Sequence, residues 1–426
     1  MNVAFNPGIN YGTMYRPNIN KPIKKMETPT TLPQTNYYKN PIPSVFHSKE
    51  DYGVGETYLN CALSGSEGDP NNLPCNFYKP ADYKDDFNDI VETAYELTDA
   101  NEIYYFFDEI QIIDGWEHFA RRMADQKKHV YITGSNAKML SSEMEKALGG
   151  RYLSKMIMPF SLSESLDYKK IAHDEKAFLT TSKAAKIRRG CQEYILSGGF
   201  PEAQLLSNKR EYIKSAYEKV LLGDIIEREK VNNKMALRLM IKKIAETVMH
   251  EISFNTLAGN VKATGIKTST DSMIDYVSYA ENAYLLFRNR NYVSKFAEKE
   301  STPRFYFFDN GILSLFLVDK PSALLENTVA VYLKRRFDEE VYYFKSTQMG
   351  IDIDFFIPEE DCAIQVAYSL ETAEDRETKS LVSFAEKTKG IRRLIIVTNE
   401  EERTITKDGL TIAVIPVYKF IMGAAF

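Results

Sequence analysis

The hydrophobic positions between residues 87 and 147 alternate between two periods. Stretches with apolar residues at helical spacing are separated by continuous β-prone runs, in the order FNDIVETAYELTDA, IYYFF, WEHFARRMADQ, HVYIT and AKMLSSEMEKAL. A continuous apolar run is typical of a strand that is buried on both faces of a sheet. Strands that alternate with helices predict a parallel α/β sheet in this part of the chain.

Beyond residue 165 the pattern is first helical and then returns to strands. Residues 166–232 are mostly helical, and residues 233–300 hold three further helical stretches followed by a hairpin-like YLLFRNRNYV. Three helices and a β-hairpin are the order of a winged-helix module. From residue 301 onward a helix, SLVSFAEKT, lies among the β-prone runs RFYFF, VYYFK, IDIDFFI, CAIQVAY, LIIVT and TIAVIPV, which predicts a second α/β unit.

Residues 1–85 follow neither period. Asn, Pro, Gly, Tyr and Thr dominate there, as in NPGINYGTMYRPNINKP and GSEGDPNNLPCNFYKP. Proline removes a backbone donor and glycine adds backbone entropy, so regular elements are hard to build from such a sequence. We therefore predict irregular chain over residues 1–85.

Composition narrows the class of protein. A chain of 426 residues, 44% of them hydrophobic, can bury more than one core, and we expect about two to four domains. The net charge of the chain is -5, so any binding of nucleic acid would have to depend on a local basic patch. The 4 cysteines and 5 histidines are dispersed, which argues against a disulfide scaffold and a zinc site. Without an apolar run of ~20 residues or a signal-peptide pattern, we expect a cytoplasmic protein with no membrane partner.

Acidic and small polar residues follow the two predicted central strands. Asp108 and Glu109 end the IYYFF strand, while Thr133, Ser135 and Asn136 end the HVYIT strand. Side chains at the carboxyl ends of parallel strands face the crevice where ligands bind. Asp108 could hold the Mg²⁺ of a nucleoside triphosphate, and Glu109 could orient or deprotonate the attacking water. Ser135 or Asn136 could then contact the γ-phosphate.

Each of these residues also has a purely structural interpretation. Asp108 and Glu109 could cap a strand and begin a solvated loop, and Ser135 or Asn136 could cap the next helix. Arg151 follows two glycines after a helical stretch, which is typical of a helix C-cap followed by a surface charge. As a functional residue, Arg151 could reach the γ-phosphate of a neighbouring subunit, which would require self-association.

The segment from FFDEIQ to FSLSESL resembles the core of a prokaryotic family of AAA-type ATPases. In that family a Walker B strand with DEIQ is followed by a Trp-led helix, TGSN, an S-S-E helix and G-R-Y, in the order found here. The resemblance continues through GGFPEA, LLGDIIERE, DYVSYAENAYLLFRNRNY, YFFDNGIL, LLENTVAVYLKRR and IDFFIPEEDCAIQVAYSL. It implies ATP and Mg²⁺ as cofactors and the following domains: an AAA ATPase core (86–165), a helical lid (166–232), a winged helix (233–300) and a nuclease-like α/β domain (301–426).

The phosphate-binding half of the site departs from the family. The chain has no G-x-x-x-x-G-K-[ST] segment, whose amides and lysine would hold the phosphates. The nearest stretch offers Gly53, Gly55 and Thr57 as weak phosphate contacts, with Glu56 where the lysine is expected. A carboxylate facing a triphosphate repels it. Three explanations stay open: an ATPase with a degraded loop, a non-catalytic DNA- or protein-binding relative, or an N-terminal segment altered by the structure of its gene.

The C-terminal unit resembles PD-(D/E)xK nucleases in layout. Such enzymes use an Asp and, on the next strand, Glu-x-Lys to bind Mg²⁺ and activate water. Asp354 is present as a weak metal-ligand candidate, with Asp352 on the same strand face. Gln365 and Ala367 stand where Glu and Lys are needed, while Glu326 is either a remaining ligand or a capping charge. We therefore regard an active metal-dependent nuclease as the weakest hypothesis.

Basic residues of the predicted winged helix could meet DNA phosphates. They are Arg288, Arg290 and Lys295 near the wing, and Lys242, Lys243 and Lys262 on the helices. The candidate recognition helix, STDSMIDYVSYAENA, is acidic, which argues against reading of the major groove. A DNA partner and a protein partner are both kept as hypotheses.

Overall fold

The computed structural model describes residues 87–97, 103–108, 110, 113, 115–134, 148–317, 319–388 and 390–425, and the backbone of four strands nearer the N-terminus. The chain divides into two compact units, Met1–Ile157 and Met158–Phe426. One sheet of seven strands and one of eight are present. Mixed α/β architecture with parallel strands confirms the α/β part of the predicted fold class.

The first unit is built on the seven-stranded sheet. Its strands are β1 (Asn2–Phe5), β2 (Phe46–His47), β3 (Tyr58–Gly65), β4 (Cys75–Tyr78), β5 (Ile103–Asp108), β6 (His129–Gly134) and β7 (Leu153–Met156). They lie in the order β2-β3-β5-β6-β1-β7, with β4 paired to β3. β5 and β6 run parallel, whereas β3 pairs with β5 in the antiparallel sense.

Four of these strands lie in residues 1–85, where the composition predicts irregular chain. The prediction fails for β3 because its pairing partner is β5, with Cys61 opposite Phe107. Strand formation depends on such cross-strand pairing more than on the local preference of each residue. The paired residues of β3 and β5 lie 38 to 46 positions apart, so this partner cannot be predicted from the N-terminal composition.

Among the described residues of the first unit, two helices accompany the central strands, α1 (Asn88–Leu97) and α2 (Trp116–Asp125). One face of β5 is buried in a core that includes Tyr105, Phe107, Trp116 and Phe119. The other face is more open, since the Phe106 side chain is 42% exposed. β5 therefore alternates instead of being buried on both faces as its continuous apolar run predicts, and its outward rings stack on those of β6.

The second unit begins with helices. They are α3 (Leu162–Tyr168), α4 (Glu175–Phe178), α5 (Thr181–Ser197), α6 (Lys209–Lys219), a π-helical segment (Val220–Glu227), α7 (Lys234–Glu246), α8 (Phe254–Ala263) and α9 (Thr270–Asn282). Local sequence sets several of their starts: Ser161 and Glu164 form a capping box, and Ser253 and Ser269 cap α8 and α9.

An antiparallel strand pair follows α9. It consists of β8 (Leu286–Asn291) and β9 (Arg304–Phe307), with α10 (Phe296–Ser301) in the connection. The hairpin predicted within residues 284–293 is wrong, because that stretch forms only β8 and its partner comes from the next apolar run. The buried rings of Phe305, Tyr306 and Phe307 on β9 supply the apolar surface that makes this pairing favourable.

The remaining strands extend the eight-stranded sheet that contains β8 and β9, and helices lie between them in the sequence. They are α11 (Asn310–Ser314), α12 (Pro321–Phe337), β10 (Tyr342–Ser346), β11 (Ile351–Ile357), β12 (Cys362–Ala367), α13 (Glu374–Lys387), β13 (Arg393–Thr398), β14 (Arg403–Lys407), β15 (Leu410–Pro416) and α14 (Val417–Lys419). The strand order is β14-β15-β13-β12-β11-β10-β8-β9. α12 contacts β9 and β12, and α13 contacts β11 and β12. Among the described residues, no helix combines the length and apolar character needed to cross a bilayer.

A buried polar joint connects the end of α5 with the start of α11. Gly198 ends α5 with φ of +69°, and a Cβ there would lie 2.0 Å from a carboxylate oxygen of Asp309. The Asp309 carboxylate accepts hydrogen bonds from the backbone N–H groups of Gly199 (2.7 Å) and Gly311 (2.8 Å). The GGFPEA and YFFDNGIL motifs thus form the two sides of one joint.

Replacement of Gly199 by alanine should destabilise the protein. The new Cβ would lie 2.2 Å from the backbone oxygen of Phe160, and relief of that overlap requires a backbone shift. Such overpacking costs about 1–3 kcal/mol, and we expect a loss of unfolding free energy in this range in urea titrations. Gly259→Ala is the matched control, because a Cβ there meets nothing within 4 Å in α8. Gly259→Ala should stabilise the protein by up to about 1 kcal/mol. Equal effects of the two substitutions on the unfolding free energy would contradict the close packing of Gly199 against Phe160.

Candidate functional site

Asp108 and Thr133 lie opposite each other at the carboxyl ends of β5 and β6. The Thr133 hydroxyl donates a hydrogen bond to the Asp108 carboxylate, and both side chains are half-buried. The parallel register of β5 and β6 produces this pairing. On the same face of the two strands, the residues two and four positions earlier are also opposite each other, and their rings are stacked. The stacked pairs are Phe106 with Tyr131 and Tyr104 with His129, each with centroids 4.7 Å apart.

The donor set at this sheet edge suits part of a magnesium–triphosphate site. Carboxylate and hydroxyl oxygens are hard ligands, and Mg²⁺ is usually held by one or two carboxylates together with substrate phosphates. Within the described part of the chain, no three His, Cys, Asp or Glu side chains gather where they could hold a metal ion. Asp108 and Thr133 therefore fit Mg²⁺ that arrives with phosphates, and they do not form an all-protein metal cage.

Other predicted residues of this site lie outside the described residues. They are Gly53, Gly55, Thr57, Glu109, Ser135 and Asn136. The chain directly after Thr57 is described, and it forms the strand β3. A phosphate-binding loop instead leads into a helix, whose first-turn amides help to hold the phosphates. The start of β3 at Tyr58 is thus a second departure from that motif, beside Glu56.

Arg151 has partners within its own unit. Its Nε lies 2.7 Å from a carboxylate oxygen of Asp125, and its guanidinium is also 3.4 Å from the Leu148 carbonyl oxygen. Gly149 and Gly150, just before it, have positive φ angles of 56° and 76°. The ion pair with Asp125 engages part of the Arg151 guanidinium, and contact with a neighbouring subunit stays a prediction.

A second polar cluster surrounds Arg304 in the second unit. Arg304 begins β9, and its side chain is only 2% exposed. One guanidinium nitrogen donates to Asp352 (2.7 Å) and another to Asp354 (3.2 Å), both on β11. The guanidinium also lies 4.6 Å from the ring centroid of Tyr343. Its charge thus occupies the place beside Asp354 where the nuclease layout predicts a metal ion.

Gln365 uses both ends of its amide in this cluster. Its Oε1 accepts from the backbone N–H of Asp354 (2.8 Å), while its Nε2 donates to the carbonyl of Asp352 (3.0 Å) and to Glu377 (3.0 Å). An ionised glutamate could accept the first bond but could not donate the other two. Gln365 therefore connects β11, β12 and α13, and its role here is structural.

Glu326 is buried in the middle of α12, so it is not a helix cap. The hydroxyl of Tyr306 donates to its Oε1 at 2.8 Å. Burial raises the pKa of Glu326 to about 8, and the nearby Asp354 charge raises it further while Arg304 opposes the shift. Burial likewise raises the pKa of Asp354, against the effect of Arg304. A carboxyl that keeps its proton at neutral pH is a poor metal ligand.

Arg304 and Glu377 belong to this cluster, although neither was predicted from the sequence as a site residue. A signal for Arg304 is present, because an arginine precedes the apolar run FYFF of a buried strand. A buried guanidinium must be paired, so acidic partners elsewhere in the chain are required. Which acids supply that pairing depends on the tertiary structure.

The arginines predicted to contact DNA phosphates are paired with glutamates. The Arg288 guanidinium donates to Glu281 (2.7 Å), and the Arg290 guanidinium donates to Glu300 (2.8 Å) and Glu339 (3.2 Å). Phosphate contact by these arginines would have to compete with carboxylates that are already in place. β8 is therefore a weaker phosphate-binding element than its sequence suggests.

Sequence comparison with known proteins shows the family to which the chain belongs. The uncharacterized protein MJ1544 of Methanocaldococcus jannaschii is 30% identical over 348 residues, which are 79% of this chain and 78% of that protein. The chain belongs to the family of that archaeal protein. An uncharacterized protein of Haemophilus influenzae is 26% identical over 316 residues, covering 72% of this chain and 75% of its own. No solved structure matches the chain.

Three family models match successive parts of the chain. An AAA domain matches residues 53–166, a domain of unknown function (DUF8612) matches residues 188–322, and another (DUF4143) matches residues 322–420. The first match confirms the predicted AAA-type, P-loop ATPase-like family, and it contains Asp108 and Thr133. AAA-type domains generally bind ATP with Mg²⁺.

Replacement of Arg304 by methionine should destabilise the protein by about 3–5 kcal/mol, because Asp354 would be left buried without its counter-charge. The unfolding free energy from urea titration measures the effect. Arg403→Met is the control, since the partly exposed pair of Arg403 with Glu374 should contribute less than about 1 kcal/mol. Similar losses for both variants would show that the Arg304 pairs do not stabilise the cluster.

Replacement of Glu326 by glutamine should flatten the pH dependence of stability. The folded-state pKa of about 8 lies above the ordinary value of 4.5, so the folded state favours the protonated carboxyl. Its contribution is therefore full below pH 4.5 and is lost as the pH rises through 8, by an amount on the order of a few kcal/mol. Glu326→Gln, which stays neutral, should lose less stability across that interval than wild type. The exposed Glu359→Gln should behave as wild type, and a parallel decline in all three proteins would contradict the assignment.

Proposed function

We propose that the protein is an AAA-type ATP-binding protein whose hydrolysis of ATP is weakened by its degraded phosphate loop. The observation that carries the proposal is the Thr133–Asp108 hydrogen bond at the carboxyl ends of two neighbouring parallel strands, inside the AAA-domain match. Side chains at that position of an α/β sheet face bound ligands.

Each residue of the site has a distinct task in this proposal. The Asp108 carboxylate would hold Mg²⁺, whose charge offsets that of the β- and γ-phosphates. Thr133 positions the Asp108 carboxylate through its hydrogen bond. Glu109, next along the chain, would orient the attacking water, and Ser135 or Asn136 would contact the γ-phosphate.

The weakness of the site is attributed to Glu56. The AAA-domain match begins at Gly53, so the stretch that contains Gly53, Gly55 and Thr57 belongs to the matched region. Glu56 stands in that stretch where a lysine would contact the phosphates. Its carboxylate repels a triphosphate instead of neutralising it, which lowers affinity without removing the metal-binding half.

A charge reversal at Glu56 tests the proposal by gain of function. Glu56→Lys should tighten Mg²⁺-dependent ATP binding by at least about tenfold, or about 1.4 kcal/mol, as measured by isothermal titration calorimetry. It should also raise the rate of phosphate release. Asp108→Ala added to Glu56→Lys should cancel the magnesium-dependent part of the gain.

Glu96→Lys is the matched control, because it makes the same charge change at an exposed position of α1. It should leave ATP affinity as in wild type. Absence of ATP binding at millimolar concentration in both wild type and Glu56→Lys would sink the proposal. The non-catalytic, DNA- or protein-binding relative would then be the better description.

That second candidate function rests on the arrangement of α7, α8 and α9 followed by the antiparallel pair β8 and β9. Three helices and such a pair have the order of a winged helix, which contacts DNA or protein partners. A metal-dependent nuclease centred on Asp354 is disfavoured by the guanidinium of Arg304, the amide of Gln365 and the missing lysine at Ala367.

A further inference from the structure

The first half of α5 carries a group of basic side chains on its solvent side. Lys183, Lys186 and Arg189 are exposed and Arg188 is half-buried, while the opposite side of the helix packs inward through residues such as Ile187. We call these four cations the α5 basic side. Lys183, Lys186 and Arg189 follow one another at three-residue steps, each a rise of about 4.5 Å along the helix.

Within the part of the chain that the structure describes, no acidic side chain forms an ion pair with any of the four members of the α5 basic side. Arg288 and Arg290 on β8, in contrast, are paired with glutamates. Glu193 of the same helix is engaged by Lys169 and Lys209. Gln192 lies one turn beyond Arg189 on the exposed side of α5, and its Nε2 donates a hydrogen bond to the Glu400 carboxylate at 3.1 Å.

Part of this arrangement opposes helix stability. Lys183 lies in the first turn of α5, where a cation opposes the helix macrodipole, and like charges three residues apart repel each other. Thr180, the residue before α5, offers no side-chain hydrogen bond to cap the first turn. A bound polyanion would relieve both the repulsion and the unfavourable dipole, so the placement of these residues is explained by a ligand better than by folding.

We propose that the α5 basic side binds the phosphate backbone of nucleic acid. The exposed surface between Thr181 and Gln192 has no large apolar side chain, and the exposed leucines, Leu179 and Leu196, lie beyond its two ends. A protein interface needs an apolar centre, whereas phosphates need only regularly placed cations. DNA carries one negative charge per ~1.7 Å of its axis, which a row of cations can track without reading the sequence.

The salt dependence of DNA binding tests this assignment. The full chain is titrated into a fluorescein-labelled duplex of about two helical turns, without nucleotide, at salt concentrations from about 50 to about 200 mM. Fluorescence anisotropy gives the association constant at each concentration. Each phosphate contact that is lost makes the slope of log K against log salt shallower by about 1.

Lys186→Gln combined with Arg189→Gln should weaken binding by at least about tenfold at the lowest salt and make the slope shallower by about 2. The single variants should each contribute about half of that change. Lys320→Gln combined with Lys379→Gln makes the same change in net charge at exposed positions elsewhere in the second unit, and should leave the slope unchanged. Because all four positions are exposed, both double variants should keep the wild-type Tm.

Several outcomes would overturn the proposal. These are equal slopes for the two double variants, absence of DNA binding by wild type, or displacement of the duplex by polyglutamate at equal charge concentration, which would indicate an acidic protein partner. Asp108→Ala should bind the duplex as wild type does. Failure of the ATP-binding proposal therefore leaves this one intact, and the reverse also holds.

Discussion

A guanidinium that is almost completely removed from water holds the second unit together. Arg304 starts β9, and its guanidinium donates hydrogen bonds to the carboxylates of Asp352 and Asp354 on β11. A buried charge without partners is very unfavourable, so the placement of β9 relative to β11 is tied to this pairing.

The cluster around Arg304 differs in its chemistry from the metal site that a nuclease layout predicts at Asp354. A carboxylate on β11, a polar residue on β12 and a carboxyl on α12 are all present. The carboxylates on β11 pair with the Arg304 guanidinium, and the Gln365 amide donates a hydrogen bond to Glu377. Glu326 accepts a hydrogen bond from the Tyr306 hydroxyl, and burial raises its pKa, which disfavours the ionised form that binds a metal ion.

The nucleotide site that we propose for the first unit rests on two kinds of sequence information. Its metal-binding half would depend on strand register, because parallel pairing of β5 with β6 puts Asp108 opposite Thr133. Its phosphate-binding half would depend on a loop, whose amides and lysine have to be supplied by specific residues. In this proposal, altered loop residues leave the strands in place, so an AAA-domain match can persist without a complete phosphate-binding loop.

Local periodicity by itself determined the α/β class, the strands β5 and β6, and the expectation that the groups at their carboxyl ends would be neighbours. The same applies to β10, β11, β12, β13 and β15, whose apolar runs are continuous or alternating in the sequence. Tertiary structure alone decided the strands within residues 1–85, the partner of β8, the counter-ions of Arg304 and the raised pKa of Glu326. The physical reason is distance along the chain: Arg304 and Asp354 are 50 residues apart, and β3 needs β5 in order to be a strand. Burial and pairing at such separations leave no local pattern, whereas helices and buried strands carry theirs in every few residues.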